Sequence, residues 1–212
     1  MINPWLAVKQ FEESICKFTN SKYAVAVDSC TNAIFLSLMF YKTVMNKEFN
    51  DTVIIPNRTY ISVPMQVLNA GLKLDFNDNE WHAYYKLYNT PVIDSAQWFE
   101  RNMYIKDSLQ CVSFQYKKHL PIGRGGAILT DNIDAYNWFI KARHDGRNMY
   151  EDYGSIEKVD MVGYHYPLLP HEAIRGQELL LNTNLTCHNI PGCYLNYKPI
   201  NTDIFNEDFN NR

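Results

Sequence analysis

The sequence predicts a three-layer α/β/α domain built on a mostly parallel sheet. Short apolar strands alternate with helix-period segments, and no repeat or low-complexity linker interrupts them. At 212 residues the chain suits one domain, or one domain with an appendage, and can bury a sizeable core. Its 46% hydrophobic and 20% charged residues are those of a soluble globular protein.

The elements follow in order. "AVKQFEESICKFTN" puts Val8, Phe11, Ile15 and Phe18 on one helical face. "KYAVAVDS" is a short strand of the fully buried kind, and it runs through Ser29, Cys30 and Thr31 into the apolar helix "NAIFLSLMFYKTVM". A strand at "TVIIP", a helix around "ISVPMQVLNAG" despite Pro64, and a strand at "LKLDF" come next. "EWHAYYKLYN" is assigned as a crossover helix leading to the strand "PVID". "CVSFQ" and "GGAILT" are two further strands, and "IDAYNWFIKARHDG" is a helix.

The net charge of -3 argues against a mainly electrostatic grip on nucleic acid or membrane. No apolar run approaches a membrane span, and the N-terminus lacks a basic-then-apolar export signal. Five cysteines without disulfide-like spacing predict a reducing, cytoplasmic compartment. The six histidines show no metal-ligand spacing, and Cys187, His188 and Cys193 form no Cys-x-x-Cys pair, so no metal is expected.

In open α/β sheets, ligands bind beyond the carboxyl ends of the strands. That rule selects Ser29 to Thr31, Asn57 to Tyr60, Asp94 to Gln97 and Ser113 to Lys118. The turn Ser29-Cys30-Thr31 opens a helix, where free N–H groups favour a phosphate; Ser and Thr are equally good plain caps there. Asp94 either pairs with a cationic ring nitrogen or caps the next helix. Tyr60 either stacks on a planar ring or packs at the rim. Lys118 is either a surface charge or an amine for an aldehyde, since a lysine in a pocket loses its proton more readily. Phosphate cradle, ring stacker, ring-nitrogen carboxylate and amine are together the needs of pyridoxal 5'-phosphate (PLP).

The resemblance is specific in "FEESICKFTNSKYAVAVDSCTNAIFLSL", "DTVIIPNRTYISVPMQVLNAGLKLDFND", "VIDSAQWF", "VSFQYKKHLPIGRGGAILT", "RHDG" and "GYHYPLLPHEAIRGQELL". In these stretches, which cover most of residues 8 to 180, the chain resembles the DegT/DnrJ/StrS family of PLP-dependent sugar aminotransferases, in the aspartate-aminotransferase fold group. The resemblance implies that Lys118 of S-F-x-x-x-K holds PLP covalently, and that Ser113 meets its phosphate with Ser29, Cys30 and Thr31. It places Asp94 at the pyridine nitrogen, Gln97 near the ring hydroxyl and Tyr60 over the ring. The implied reaction moves an amino group, commonly from glutamate, to a keto sugar carried on a nucleotide. Another PLP reaction on an unusual acceptor, such as decarboxylation, elimination or nucleobase modification, is the alternative. A non-catalytic PLP-fold binding protein is a third reading.

Three departures accompany the match. Cys30 stands where the family has Gly; a positive φ there would cost roughly 1–2 kcal/mol. The family's G-x-N-x-R, which reaches the partner subunit's phosphate region, reads Gly163, Tyr164, His165, Tyr166, Pro167, leaving His165 as the donor in an expected homodimer. Only 13 residues separate Asp78 from Val92, and after residue 180 a 32-residue tail replaces the family's small C-terminal domain. The expected organisation is a PLP-transferase large domain over 1–180 and a tail over 181–212 packed on it.

Overall fold

The stripe Val8, Phe11, Ile15 and Phe18 is buried in the computed structural model, which describes residues 3–45, 52–151, 158–182 and 192–205. It lies on α1 (Leu6–Thr19), which ends at Asn20 with φ 63°, a left-handed conformation that Asn adopts at modest cost. Strand β1 (Tyr23–Val27) leads into α2 (Cys30–Phe40), extended by a π-helical turn over Tyr41–Met45. Then come β2 (Thr52–Pro56), α3 (Ser62–Asn69) and β3 (Lys73–Asn77). Pro64 falls in the first turn of α3, where a missing N–H breaks no helical bond. Strands β4 (Tyr85–Lys86), β5 (Val92–Asp94), β6 (Leu109–Ser113) and β7 (Gly126–Thr130) precede α4 (Ile133–Ala142) and α5 (Pro170–Asn182).

Strands pair in the order β1-β7-β6-β5-β4, with β2 and β3 forming a parallel pair. An antiparallel bridge between Ile54 and Tyr88 links the two sets. Strand β5 is parallel to β6, β7 opposes both β6 and β1, and β4 opposes β5. The bridge at Ile54 turns β2 the same way as β5, so β1, β2, β3, β5 and β6 share one direction. The mostly parallel sheet holds in that sense. The link from β6 to β7 contains no helix, and a crossover to a parallel strand usually needs one.

Alternating residues send the sheet into two cores. Val25, Val27 and Ile128 pack with α2, α3 and α4 on one face. Ala24, Ala26, Ala127 and Leu129 pack with α1 and α5 on the other. Three layers result, as expected.

The crossover helix assigned to "EWHAYYKLYN" is not formed. Trp81, Tyr85 and Leu87 are buried while His82, Tyr84 and Lys86 are exposed, which is strand alternation, and the segment contains β4. Aromatic residues at period two favour a pleated surface over a helix.

Strand β1 lies at the end of the sheet order, which would leave backbone groups unpaired. Two side chains occupy that edge. Glu12 Oε1 accepts the Ala26 N–H at 2.7 Å, and Arg143 donates to the Ala26 carbonyl. Glu12 and Arg143 form an ion pair with side chains only 5% and 6% exposed, and the Tyr150 hydroxyl donates to Glu12 Oε2 at 2.5 Å. Arg143→Met should therefore strand a buried carboxylate and destabilise the fold by about 3–5 kcal/mol. Urea denaturation measures the loss, and adding Glu12→Gln should recover part of it.

Candidate active site

The carboxyl ends of β1, β2, β5 and β6 lead into residues that line one cleft of about 1070 Å³. Each wall has a local cause. Ser29 caps α2: its Oγ accepts the Asn32 N–H at 3.2 Å and donates to Asp28 Oδ1 at 3.1 Å. Cys30 is the first residue of α2 and has no positive φ, so replacing Gly there carries no backbone strain. Thr31 Oγ1 bonds Ser62 Oγ at 2.9 Å, tying the start of α2 to the start of α3. Backbone N–H groups in the first turn of a helix lack helical partners and face an anion favourably.

The glycine turn explains how β7 reaches this helix start. Gly123 and Gly125 have φ of +128° and +118°, a region that L side chains rarely adopt. A Cβ on Gly126 would lie 2.5 Å from the Cys30 nitrogen and 2.7 Å from the Val112 carbonyl oxygen. Only a residue without a side chain allows that approach.

Asp94 ends β5 and is 5% exposed. Its Oδ1 accepts the Ala96 N–H at 2.8 Å, closing a turn rather than capping a helix, since among the described residues no helix follows β5 before α4, while its Oδ2 accepts the Tyr85 hydroxyl at 2.6 Å. Burial pushes its pKa up; the Tyr85 and Ala96 donors and the Lys118 charge pull it down. Lys118 sits in the turn after β6, its N–H bonded to the Gln115 carbonyl at 2.8 Å. It is half-buried, and burial lowers its pKa against the opposing pull of Cys30 and Asp94. Lys117 lines the same cleft but is exposed, with its amine 5.3 Å from the centre of the Tyr116 ring.

Ser29, Cys30, Thr31, Tyr60, Asp94, Gln97, Ser113 and Lys118 all line the cleft. Tyr60 is 58% exposed, so its ring is available rather than packed in the core. His165 does not line the cleft; it is exposed and its Nδ1 lies 3.1 Å from Asp145 Oδ1. Arg124 also lines the cleft, where it meets Asp28 at 3.3 Å and Glu172 at 3.5 Å. Among the described residues no group of three metal-ligating side chains occurs; Cys187 and His188 lie outside them. No helix among the described residues is long and apolar enough to cross a membrane.

The strand-end rule selected the segment that holds Thr59 without giving that residue a role, and sequence reasoning missed Trp81, Tyr85 and Tyr197; all four line the cleft. The Gln97 amide donates to the Tyr197 hydroxyl, and Arg58 donates to the Tyr197 carbonyl at 3.0 Å. The alternation Trp81, Tyr85, Leu87 was the available signal for two of these contributors. Tyr197, far along the chain, carries no local signal.

The family model of DegT/DnrJ/EryC1/StrS aminotransferases matches residues 4–85. A sugar aminotransferase from Micromonospora echinospora superposes with a TM-score of 0.66 at 15% identity, covering 83% of this chain and 60% of that one. An aminotransferase of pseudoaminic acid biosynthesis from Helicobacter pylori gives 0.63 at 16% identity, covering 85% and 63%. A GDP-4-keto-6-deoxymannose-3-dehydratase holding a trapped PLP-glutamate geminal diamine gives 0.61 at 20% identity, covering 82% and 60%. No curated protein matches in sequence. The chain spans less than two thirds of the length of each of these structures. It matches the DegT/DnrJ/EryC1/StrS aminotransferase family over residues 4–85 and has the fold of the PLP-transferase large domain.

Proposed function

We propose that the chain is a DegT/DnrJ/EryC1/StrS-type enzyme that uses PLP to move an amino group from glutamate to a keto sugar carried on a nucleotide. One observation supports this most: a buried carboxylate at the end of one strand and a half-buried lysine just past another line the same cleft as a helix start. The residues fit PLP. Ser29, Cys30 and Thr31 put the start of α2, with its unpartnered first-turn N–H groups and two hydroxyls, in the same cleft as Ser113 and the Lys118 amine, a donor set that suits a phosphate and an aldehyde.

Bound PLP supplies an electron sink for the carbon that carries the amino group. Lys118 would hold the cofactor through its amine and, once displaced, move a proton at Nζ; its lowered pKa favours the free base that can accept one. Asp94 would keep the ring nitrogen protonated through its negative charge. Tyr60 would cover the ring, Gln97 would meet the ring hydroxyl, and Ser29, Cys30, Thr31 and Ser113 would hold the phosphate. The large domain would comprise residues 1–180, with 181–212 as a tail; hydrogen bonds of Ile200 to Asn57 and of Ala83 to Gly192 support the packing of its 192–205 part on that domain.

A dehydratase shares the fold, so a PLP reaction other than amino transfer is the second reading. Incubating the PLP-loaded protein with glutamate and a keto sugar carried on a nucleotide separates the two: amino transfer yields an amino sugar, and the other reactions yield a product without the new amino group. Amino transfer predicts one equivalent of 2-oxoglutarate per site from glutamate alone; a PLP-loaded protein that yields no keto acid from glutamate contradicts it.

The homodimer belongs to the same proposal. Tyr164, His165 and Tyr166 would contact the neighbouring phosphate site, and Pro167 would stiffen the crossing segment by fixing φ. Sedimentation should show a dimer at micromolar concentration, and His165→Ala should weaken PLP binding without producing monomers. A monomer that binds PLP normally contradicts a shared site.

A further inference from the structure

Tyr85 lies in the segment joining β3 to β5, outside every motif of the sequence. Its side chain is buried and packs against Trp81, with ring centroids 5.0 Å apart. Its hydroxyl lies between two side chains: it donates to Asp94 Oδ2 at 2.6 Å and is hydrogen-bonded to the buried Thr59 Oγ1. A phenol has one proton. With that proton given to Asp94, the Thr59 hydroxyl must donate to Tyr85. The chain Thr59 to Tyr85 to Asp94 is therefore polarised in one sense, ending on the carboxylate. The Ala96 N–H holds the other carboxylate oxygen at 2.8 Å. Each oxygen of Asp94 has one fixed donor, and spare lone pairs remain for a ligand in the cleft that Asp94 lines.

We propose, resting on the cofactor reading above, that Tyr85 is a positioning residue which, supported by Thr59, fixes the Asp94 carboxylate for a protonated ring nitrogen. Packing alone does not explain the arrangement, since Phe would fill the same space without needing a partner. Burial drives Asp94 toward its neutral acid, and the Tyr85 donor is the strongest influence opposing that. Hydrogen bonds in series strengthen one another in a dry interior. The other groups facing Asp94 are Cys30 from α2, Cys111 from β6, Lys118 from the turn after β6 and Tyr197 from the 192–205 segment. Burial raises the pKa of both thiols and of Tyr197, which disfavours their charged forms, and Lys118 is the one basic group among them.

Tyr85→Phe removes one oxygen and keeps the packing. PLP affinity is measured against pH by fluorescence quenching. In cofactor-free protein, the Asp94 carboxyl carbon is followed by ¹³C NMR and assigned by its loss in Asp94→Asn. Without its donor, Asp94 protonates at higher pH. The acid limb of PLP binding and the Asp94 signal should both move up by about one pH unit, with PLP held about tenfold more weakly below that limb. Thr59→Val, which keeps the phenol but removes its donor, should shift both in the same direction by less. A Tyr85→Phe protein with an unmoved acid limb and an unmoved Asp94 titration overturns the proposal, as does an unshifted Thr59→Val if Tyr85→Phe fails to fold. A wild-type protein with no PLP affinity overturns the cofactor reading alone, because the carboxyl titration still reports the hold of Tyr85 on Asp94.

Discussion

Lys118→Ala is expected to lose covalent retention of PLP and to slow amino transfer by about a hundred- to ten-thousand-fold. Two tasks disappear together: the amine that fixes the cofactor, and the base that moves a proton once the donor has displaced it. Its half-buried position is what suits it to the second task, because burial lowers the pKa of an amine. The fold should survive, since the Lys118 side chain has no hydrogen-bond or ion-pair partner among the described residues. Lys117→Ala is the control. Lys117 is exposed, so its loss should leave most of the turnover intact. Single-turnover release of 2-oxoglutarate from glutamate measures both variants; equal losses in the two would contradict the assignment.

Asp94→Asn should keep the fold and lose about a hundred- to a thousand-fold in turnover. The amide has the same shape but no charge, so the ring nitrogen loses what keeps its proton. It also has one acceptor oxygen where the carboxylate offered two to Ala96 and Tyr85. If the oxygen stays with the Ala96 N–H, the amide NH₂ faces Tyr85, whose proton must then turn toward Thr59. That rearrangement is local, so the melting temperature should change little while turnover collapses. Near-normal turnover in Asp94→Asn would leave Asp94 as a turn-closing residue and nothing more.

Much of this architecture is legible in the sequence because it rests on local patterns. The stripe on α1 and the apolar runs of β1, β2 and β7 are each set by residues within a few positions of one another. Candidate site residues at or beyond strand ends are legible for the same reason: Asp94 ends β5, and Ser29 and Lys118 follow β1 and β6 within a few residues. The segment 80–89 misleads because its length suits a crossover, while its alternation of buried aromatics suits a strand. Alternation prevails, and it brings Tyr85 to Asp94. Other contributors are fixed only by the folded chain. Gln97 and Tyr197 are 100 positions apart, and Glu12 and Arg143 are 131 apart. No local pattern reports such pairs. The need for Gly126 is likewise visible only once α2 and β7 approach each other.

The most direct test is where the cofactor is attached. The protein is incubated with PLP, reduced with borohydride, digested, and the labelled peptide is sequenced by mass spectrometry. Stoichiometric label on Lys118, with none on Lys117, is the predicted result. Label on Lys117, label scattered over exposed lysines, or no PLP retained at all would contradict it.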